Sequence, residues 1–152
     1  MTVQSWGRFP NQPQTAHASS WRGDFPADLK AVVAQHGSTL PFGNGRSYGD
    51  SCLAASDHVV HTRLLNRWIH ANWQTGLIRA ESGMTLDELI NISLPKGWFV
   101  PVTPGTKYVT LGGALANDVH GKNQHVRGSF GAHVTRLGLL RSDCGESVFS
   151  PT

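Results

Sequence analysis

Charged side chains are scarce in this chain. Asp, Glu, Lys and Arg make up 15% of it, against about a quarter in an ordinary soluble domain. Basic residues outnumber acidic ones only enough for a formal net charge of +3. That is too little for a nucleic-acid surface, though it suits an anionic ligand. Cysteine is nearly absent, with only Cys52 and Cys144. A disulfide framework is therefore excluded, and the expectation is two free buried thiols in a reducing compartment, with one disulfide as the alternative. No apolar run approaches the roughly 18 residues of a membrane span. The N-terminus lacks a basic segment followed by an apolar one, so it is not a secretory signal. There is no internal repeat and no low-complexity tract. These absences lead to the expectation of a soluble, cytoplasmic protein.

Glycine is plentiful, at 17 of 152 residues. High glycine with low charge implies backbone that lies close to a ligand or to another protein surface. Eight histidines add positive charge only below about pH 6.5. The length suits one domain with a real core.

The chain alternates helical and extended signals, which predicts an α+β fold. Residues 1–23 are polar and proline-containing, and read as an extended arm anchored by Trp6 and Trp21. The rest, 24–152, reads as a domain body. Asp24-Phe25-Pro26 opens a helix that runs to His36, with Leu29, Val32 and Val33 inward and Gly37 as its stop. Strands are predicted at 39–42 and 58–62. A hairpin is predicted from Trp68–Asn72 and Leu77–Ala80 around Trp73-Gln-Thr-Gly76. Thr85-Leu-Asp-Glu88 has the capping-box spacing and starts a helix to about Leu94, stopped by Pro95 and Gly97. A short strand at 98–100, a short helix over 114–117, an irregular stretch over 118–133 and strands over 133–141 and 147–149 complete the pattern. The final strand has no closing helix, and the chain reads as a piece of something longer.

Two glycine-rich stretches carry the functional signal. The first is "LPFGNGRSYGD", with Gly43, Gly45 and Gly49 inside seven residues. It nearly spells a dinucleotide fingerprint, but that motif needs a helix behind it and an acidic residue about 20 positions on. Residues 48–57 are turn-rich, and position 63 is arginine. The second stretch contains Pro104-Gly105-Thr106 and Gly112-Gly113. Consecutive backbone amides in such loops, and helix N-termini, are anion sites. Two in one small, weakly charged domain point to a diphosphate held mainly by backbone dipoles, with hydroxyls from Ser47 and Thr106. The competing reading for the first loop alone is a plain turn.

His120 follows the second loop and is a candidate ligand contact or acid–base group; a loop histidine held by hydrogen bonds is the alternative. His125, His133 and Asp118 lie near it in sequence, but their spacing matches no metal site, and no metal is expected. Trp68 and Trp73 read as packing residues. Arg63 and Arg67 read as a solvated face ahead of a phosphate contact. No G-x-S-x-G elbow supports nucleophilic serine chemistry.

Together, "GNGRSYGD" and "PVTPGTKYVTLGGALANDVHGKNQHVRGSFGAHV" resemble the FAD-binding (PCMH-type) domain of the vanillyl-alcohol-oxidase flavoproteins. Within that superfamily the likeness is to the decaprenylphosphoryl-ribose oxidases and the aldonolactone and alditol oxidases, and "QSWGR" is similar to the opening of that subgroup. The resemblance implies the N-terminal part of a two-subdomain fold of small mixed sheets flanked by helices, with FAD between the subdomains. It places Gly43, Asn44, Gly45, Arg46, Ser47 and Tyr48 in a first pyrophosphate loop, and Pro104, Gly105 and Thr106 in a second. Gly112, Gly113, Ala116 and Asn117 fall on a short helix along the flavin, and His120 and Gly121 near its ring. Covalent members carry a histidine where this chain has Arg46, which implies non-covalent FAD.

The implied activity is oxidation of a CH–OH group of a sugar, sugar alcohol or sugar lactone, with hydride passing to flavin N5. The base and most of the substrate pocket would belong to a domain beyond this stretch, so no catalytic residue is expected here, and the stretch alone is expected to be inactive. The cut edge also predicts self-association. A non-catalytic nucleotide-binding module is the alternative.

Overall fold

The computed structural model describes residues 1–141 and 143–151. The last residue of the expected 24–152 body, Thr152, lies outside the described residues. Strands β1 (Thr2–Val3), β2 (Gln14–Ala18), β3 (Leu40–Phe42) and β4 (His58–His61) form one sheet in the order β1-β2-β4-β3. β1 runs antiparallel to β2, and the other pairs are parallel. Helix α1 (Phe25–His36) connects β2 to β3. Asp24 precedes it, Pro26 occupies the first turn where its missing N–H is not needed, and Gly37 closes it with φ 79° while donating to the Val33 carbonyl. Val32 is the buried residue of α1, and the helix packs on β4.

Strand alternation gives the sheet two occupied faces. Phe42, Val59, Leu40 and Ala16 gather on one, together with Ala54 and Cys52 from the loop beyond β3. Val60, fully buried, points to the other face with its period-2 neighbour His58. The core is small, and each large side chain in it contributes about 1.5–3 kcal/mol.

The predicted hairpin is present as β5 (Trp68–Asn72) and β6 (Leu77–Ala80). So is helix α2 (Leu86–Ser93), with both reciprocal bonds of the Thr85–Glu88 capping box. A 3-10 turn (Leu94–Lys96), α3 (Leu111–Ala116), α4 (Gln124–Arg127), a 3-10 turn (Phe130–His133) and the hairpin β7 (Leu137–Arg141) and β8 (Gly145–Phe149) follow. The α+β class stands. Among the described residues, no helix is long and apolar enough to cross a membrane.

Several elements differ from the sequence expectation. Residues 1–23 are more than an extended arm anchored by Trp6 and Trp21: they supply β1 and the interior strand β2, and Gln14 is fully buried. Residues 98–100 form no strand, because Trp98 turns back to donate its indole N–H to the Trp73 carbonyl at 2.8 Å. Helix α3 starts at Leu111, since Thr110 and not a glycine caps it. The stretch 118–133 carries α4 and a 3-10 turn. Cys144 is exposed and Cys52 half-buried, and both are free. Arg63 and Arg67 are neither a bare solvated face nor free for phosphate. Arg63 binds Glu88 at 2.7 Å and the Gly83 carbonyl, and Arg67 binds Glu81 and the Ser20 carbonyl.

Candidate functional site

The first glycine loop leaves the end of β3. Among the described residues, none of the backbone amides from Asn44 to Tyr48 donates a hydrogen bond within the chain. Five consecutive free N–H groups in a half-exposed loop are the donor array that an anion requires. Gly45 makes the loop possible. Its φ is +60°, and a Cβ there would lie 2.7 Å from the Phe42 ring and 2.8 Å from the Gln4 carbonyl. Burial pushes the neighbouring His61 ring below its ordinary pKa, against an opposing bond to the Gly43 backbone, so no histidine charge is added at neutral pH. Burial likewise pushes the Cys52 thiol up, which keeps it protonated and unreactive beside Ser47.

The second loop lies directly against the first. The Asn44 Nδ2 group donates to the Tyr108 carbonyl at 2.8 Å. The Arg46 guanidinium sits 5.6 Å from the centre of the Tyr108 ring. A Cβ on Gly43 would lie 2.5 Å from Thr110 Oγ1. Pro104 is half-buried, Gly105 is open, and the Thr106 hydroxyl accepts from the Tyr108 amide at 3.2 Å.

One part of the expected anion site is not available. The first amides of α3 are all used: Leu111 donates to the Met84 carbonyl, Gly112 to Ser82, Gly113 to the Thr110 hydroxyl and Ala114 to the Thr110 carbonyl. The helix end is docked on the protein, so the free donors belong to the loops. Gly112 serves the docking, because a Cβ would lie 3.0 Å from Ser82. Ala116 and Asn117 are exposed at the far end, with the Asn117 amide bonded back to the Gly113 carbonyl at 2.8 Å.

His120 is exposed and pairs through its backbone with Ser129. Gly121 is buried against the Thr103 carbonyl, and Asn123 Nδ2 reaches the Pro101 carbonyl at 3.1 Å. This turn is thereby fastened to the start of the second loop. Asp118 braces it from below, accepting from the Gly131 amide at 2.9 Å. The Ser129 hydroxyl first, and that amide second, hold its carboxyl below the usual range. Gly43, Asn44 and Arg46 are thus brought against the second loop at Thr110 and Tyr108, while Asn117 is tied back to Gly113 and Gly121 to Thr103.

Sequence reasoning missed the remaining wall. A cleft of about 590 Å³ is lined by Gln4, Ser5, Trp6 and Arg8 together with Asn44, Gly45 and Arg46. Its lining holds two arginines and no carboxylate. The N-terminal segment lies tight on the first loop. The Gly7 amide reaches the Ser47 carbonyl at 3.4 Å, and Gly7 leaves no room for a side chain against the Tyr48 carbonyl. Trp6 meets the exposed Tyr48 edge-on at 5.5 Å. Ser5 Oγ is buried without a partner. The signal for this wall was the "QSWGR" likeness, which marks these residues without showing where they fold.

Residues 24–148 match the family described as "FAD binding domain". The chain is 45% identical over 145 residues to the decaprenylphosphoryl-beta-D-ribose oxidase of Mycolicibacterium smegmatis, covering 93% of this chain and 31% of that protein. It is 28% identical over 134 residues to L-gulonolactone oxidase 2 of Arabidopsis thaliana, covering 84% of this chain and 23% of that one. The fold is similar to a solved alkyldihydroxyacetonephosphate synthase, with TM-score 0.74 and 14% identity over 90% of this chain and 26% of that one. The chain therefore spans less than a third of the length of these relatives.

Proposed function

The chain belongs to the FAD-binding domain family, and on that footing we propose that it holds the diphosphate side of FAD in an oxidoreductase acting on the CH–OH group of a sugar, sugar alcohol or sugar lactone. The observation that carries this reading is the Asn44–Tyr108 bond. It sets the free amides of the first loop beside the second loop, at the mouth of a cleft lined with arginine.

The residues fit the cofactor. A diphosphate carries negative charge without needing a particular side chain, and the amides of Asn44–Tyr48 offer donors already freed of internal partners. Arg8 and Arg46 add fixed positive charge, and the orphaned Ser5 hydroxyl supplies a further donor. Gly43, Asn44, Gly45, Arg46, Ser47 and Tyr48 hold one side of the diphosphate, and Pro104, Gly105 and Thr106 the other. Gly112, Gly113, Ala116 and Asn117 line the approach to the ring system. His120 and Gly121, on the turn fastened to the second loop, stand at its end. Bound FAD supplies the hydride acceptor that no side chain of this chain provides.

FAD is held without a covalent bond in this reading. Arg46 stands where covalent members of the resembling group carry histidine, and a guanidinium stays protonated and is no nucleophile. The substrate class rests on the relatives, one named for a ribose and one for a lactone.

The test is the absorption spectrum of the purified full-length protein before and after acid precipitation, followed by anaerobic mixing with aldonolactones and ribose derivatives. Flavin bands that move to the supernatant, and bleach with one of these compounds beforehand, support the proposal. Yellow colour retained in the pellet overturns non-covalent binding. Failure to take up added FAD overturns the oxidoreductase reading and leaves the nucleotide-binding module.

A further inference from the structure

Three histidines far apart in sequence meet on the face of the sheet opposite Phe42 and Val59. His17 lies on β2, His58 begins β4, and His36 occupies the last turn of α1. The parallel register sets Thr15 opposite His58, so His17 sits two residues further along on the same face. His17 Nε2 and His58 Nδ1 are 2.9 Å apart. The His36 ring stacks on His58 with centres 3.4 Å apart. His36 Nε2 is buried and has no hydrogen-bond partner. A ring nitrogen from each of the three lies within 4.8 Å of the others.

We propose that His17, His36 and His58 form a binding site for one divalent transition-metal ion of the imidazole-preferring class: zinc, copper or nickel. The ring nitrogens are neutral donors, and imidazole suits these ions better than it suits calcium or magnesium. Nitrogen ligands bind such ions at about 2.0–2.1 Å. The three rings reach that distance once His36 turns out of its stack, a movement open to a side chain at a helix end. A metal satisfies the orphaned His36 nitrogen, and water completes the coordination.

The cluster and the first glycine loop are on different faces of the sheet: His58 and His17 alternate with Val59 and Ala16, which share the face of Phe42 at the foot of the loop. The ion would join the C-terminus of α1 to β2 and β4, so its role is to stabilise the fold and not to take part in flavin chemistry. The spacing of these histidines in sequence matches no metal motif, which is why sequence reasoning did not find them.

The experiment uses tag-free holoprotein stripped with a chelator. Zinc is titrated by calorimetry with thermal unfolding followed in parallel, and copper is added for electron paramagnetic resonance. The expected results are one zinc equivalent, a higher unfolding temperature and nitrogen superhyperfine structure in the copper spectrum. His36→Ala and His17→Ala should each weaken zinc at least tenfold and simplify the copper spectrum, while His125→Ala changes neither. Zinc affinity that is unchanged in both cluster variants overturns the proposal. So does a wild-type copper spectrum without nitrogen coupling, a readout that does not depend on any variant folding.

Discussion

Gly43 and Thr110 touch across the junction of the two glycine loops, with room for a hydrogen on Gly43 and for nothing larger. Thr110 is also the N-cap of α3, its hydroxyl accepting from the Gly113 amide at 3.2 Å. The same hydroxyl therefore starts a helix and sets the separation of the loops. Gly43→Ala should push the loops apart and weaken FAD binding. Thr110→Ala alone should cost about 0.5–2 kcal/mol as a lost cap. In the double variant the clash is relieved, so the two effects on FAD affinity should be less than additive. Flavin fluorescence titration of the four proteins measures the coupling. Strict additivity would show that the contact does not set the loop spacing.

Asn44 makes a prediction of a different kind. Its side chain donates a single hydrogen bond to a backbone carbonyl, a contact contributing about 0.5–1.5 kcal/mol. Asn44→Ala should therefore lower the stability of the protein by about that amount, and weaken FAD by no more than the corresponding two- to tenfold. Asn44→Asp should be worse than alanine. A carboxylate cannot donate to the Tyr108 carbonyl, and it adds negative charge beside the diphosphate. Equal affinities for the alanine and aspartate variants would place the anion elsewhere.

The local features of the fold were legible wherever they are coded by adjacent residues. Asp24-Phe25-Pro26, Gly37 and the Thr85–Glu88 box each act within one turn of backbone, and the helices begin and end accordingly. The hairpin around Thr75-Gly76 was legible for the same reason. Features that depend on distant partners were not. Residues 14–18 have no strong apolar alternation, yet they form an interior strand because β4 pairs with them over its full length. The glycine loops were legible as anion sites, but the use of the α3 amides by Met84 and Ser82 was not, since those carbonyls lie 27 and more residues away. The histidine cluster depends on three separate elements and leaves no local trace.

Gln14 shows what the supposed arm contributes. It is fully buried. Its Oε1 accepts from the Ala54 amide at 2.7 Å, and its Nε2 donates to Asp57 at 3.1 Å. Gln14→Ala leaves both of those groups short of a partner, at a cost of about 1–3 kcal/mol. Removal of residues 1–18 takes away β1 and β2 and should abolish cooperative unfolding altogether. Denaturant unfolding followed by tryptophan fluorescence separates these outcomes. A truncated protein with the parent's midpoint would show that β1 and β2 add nothing to the stability of the rest.

Glu88 gives the fold a defined acid sensitivity. Burial alone would raise its carboxyl. The Thr85 amide and hydroxyl and the Arg63 guanidinium together outweigh burial and hold it below the ordinary value. The native state therefore binds its proton at lower pH than the unfolded chain does. Between the two values the unfolded chain holds more protons, so stability is complete above the unfolded value of about 4.3 and falls as the pH drops through the native one. Glu88→Gln removes this titration. It also leaves Arg63 without its 2.7 Å ion pair. The variant should be less stable than the parent at neutral pH, and the gap should narrow as the pH falls below about 4.3, because the parent loses the same interaction on protonation. Urea midpoints measured from pH 3 to pH 7 trace the two curves. Parallel curves over that range would mean that Glu88 keeps its ordinary affinity for protons and that the capping box stabilises α2 without a charge-dependent part.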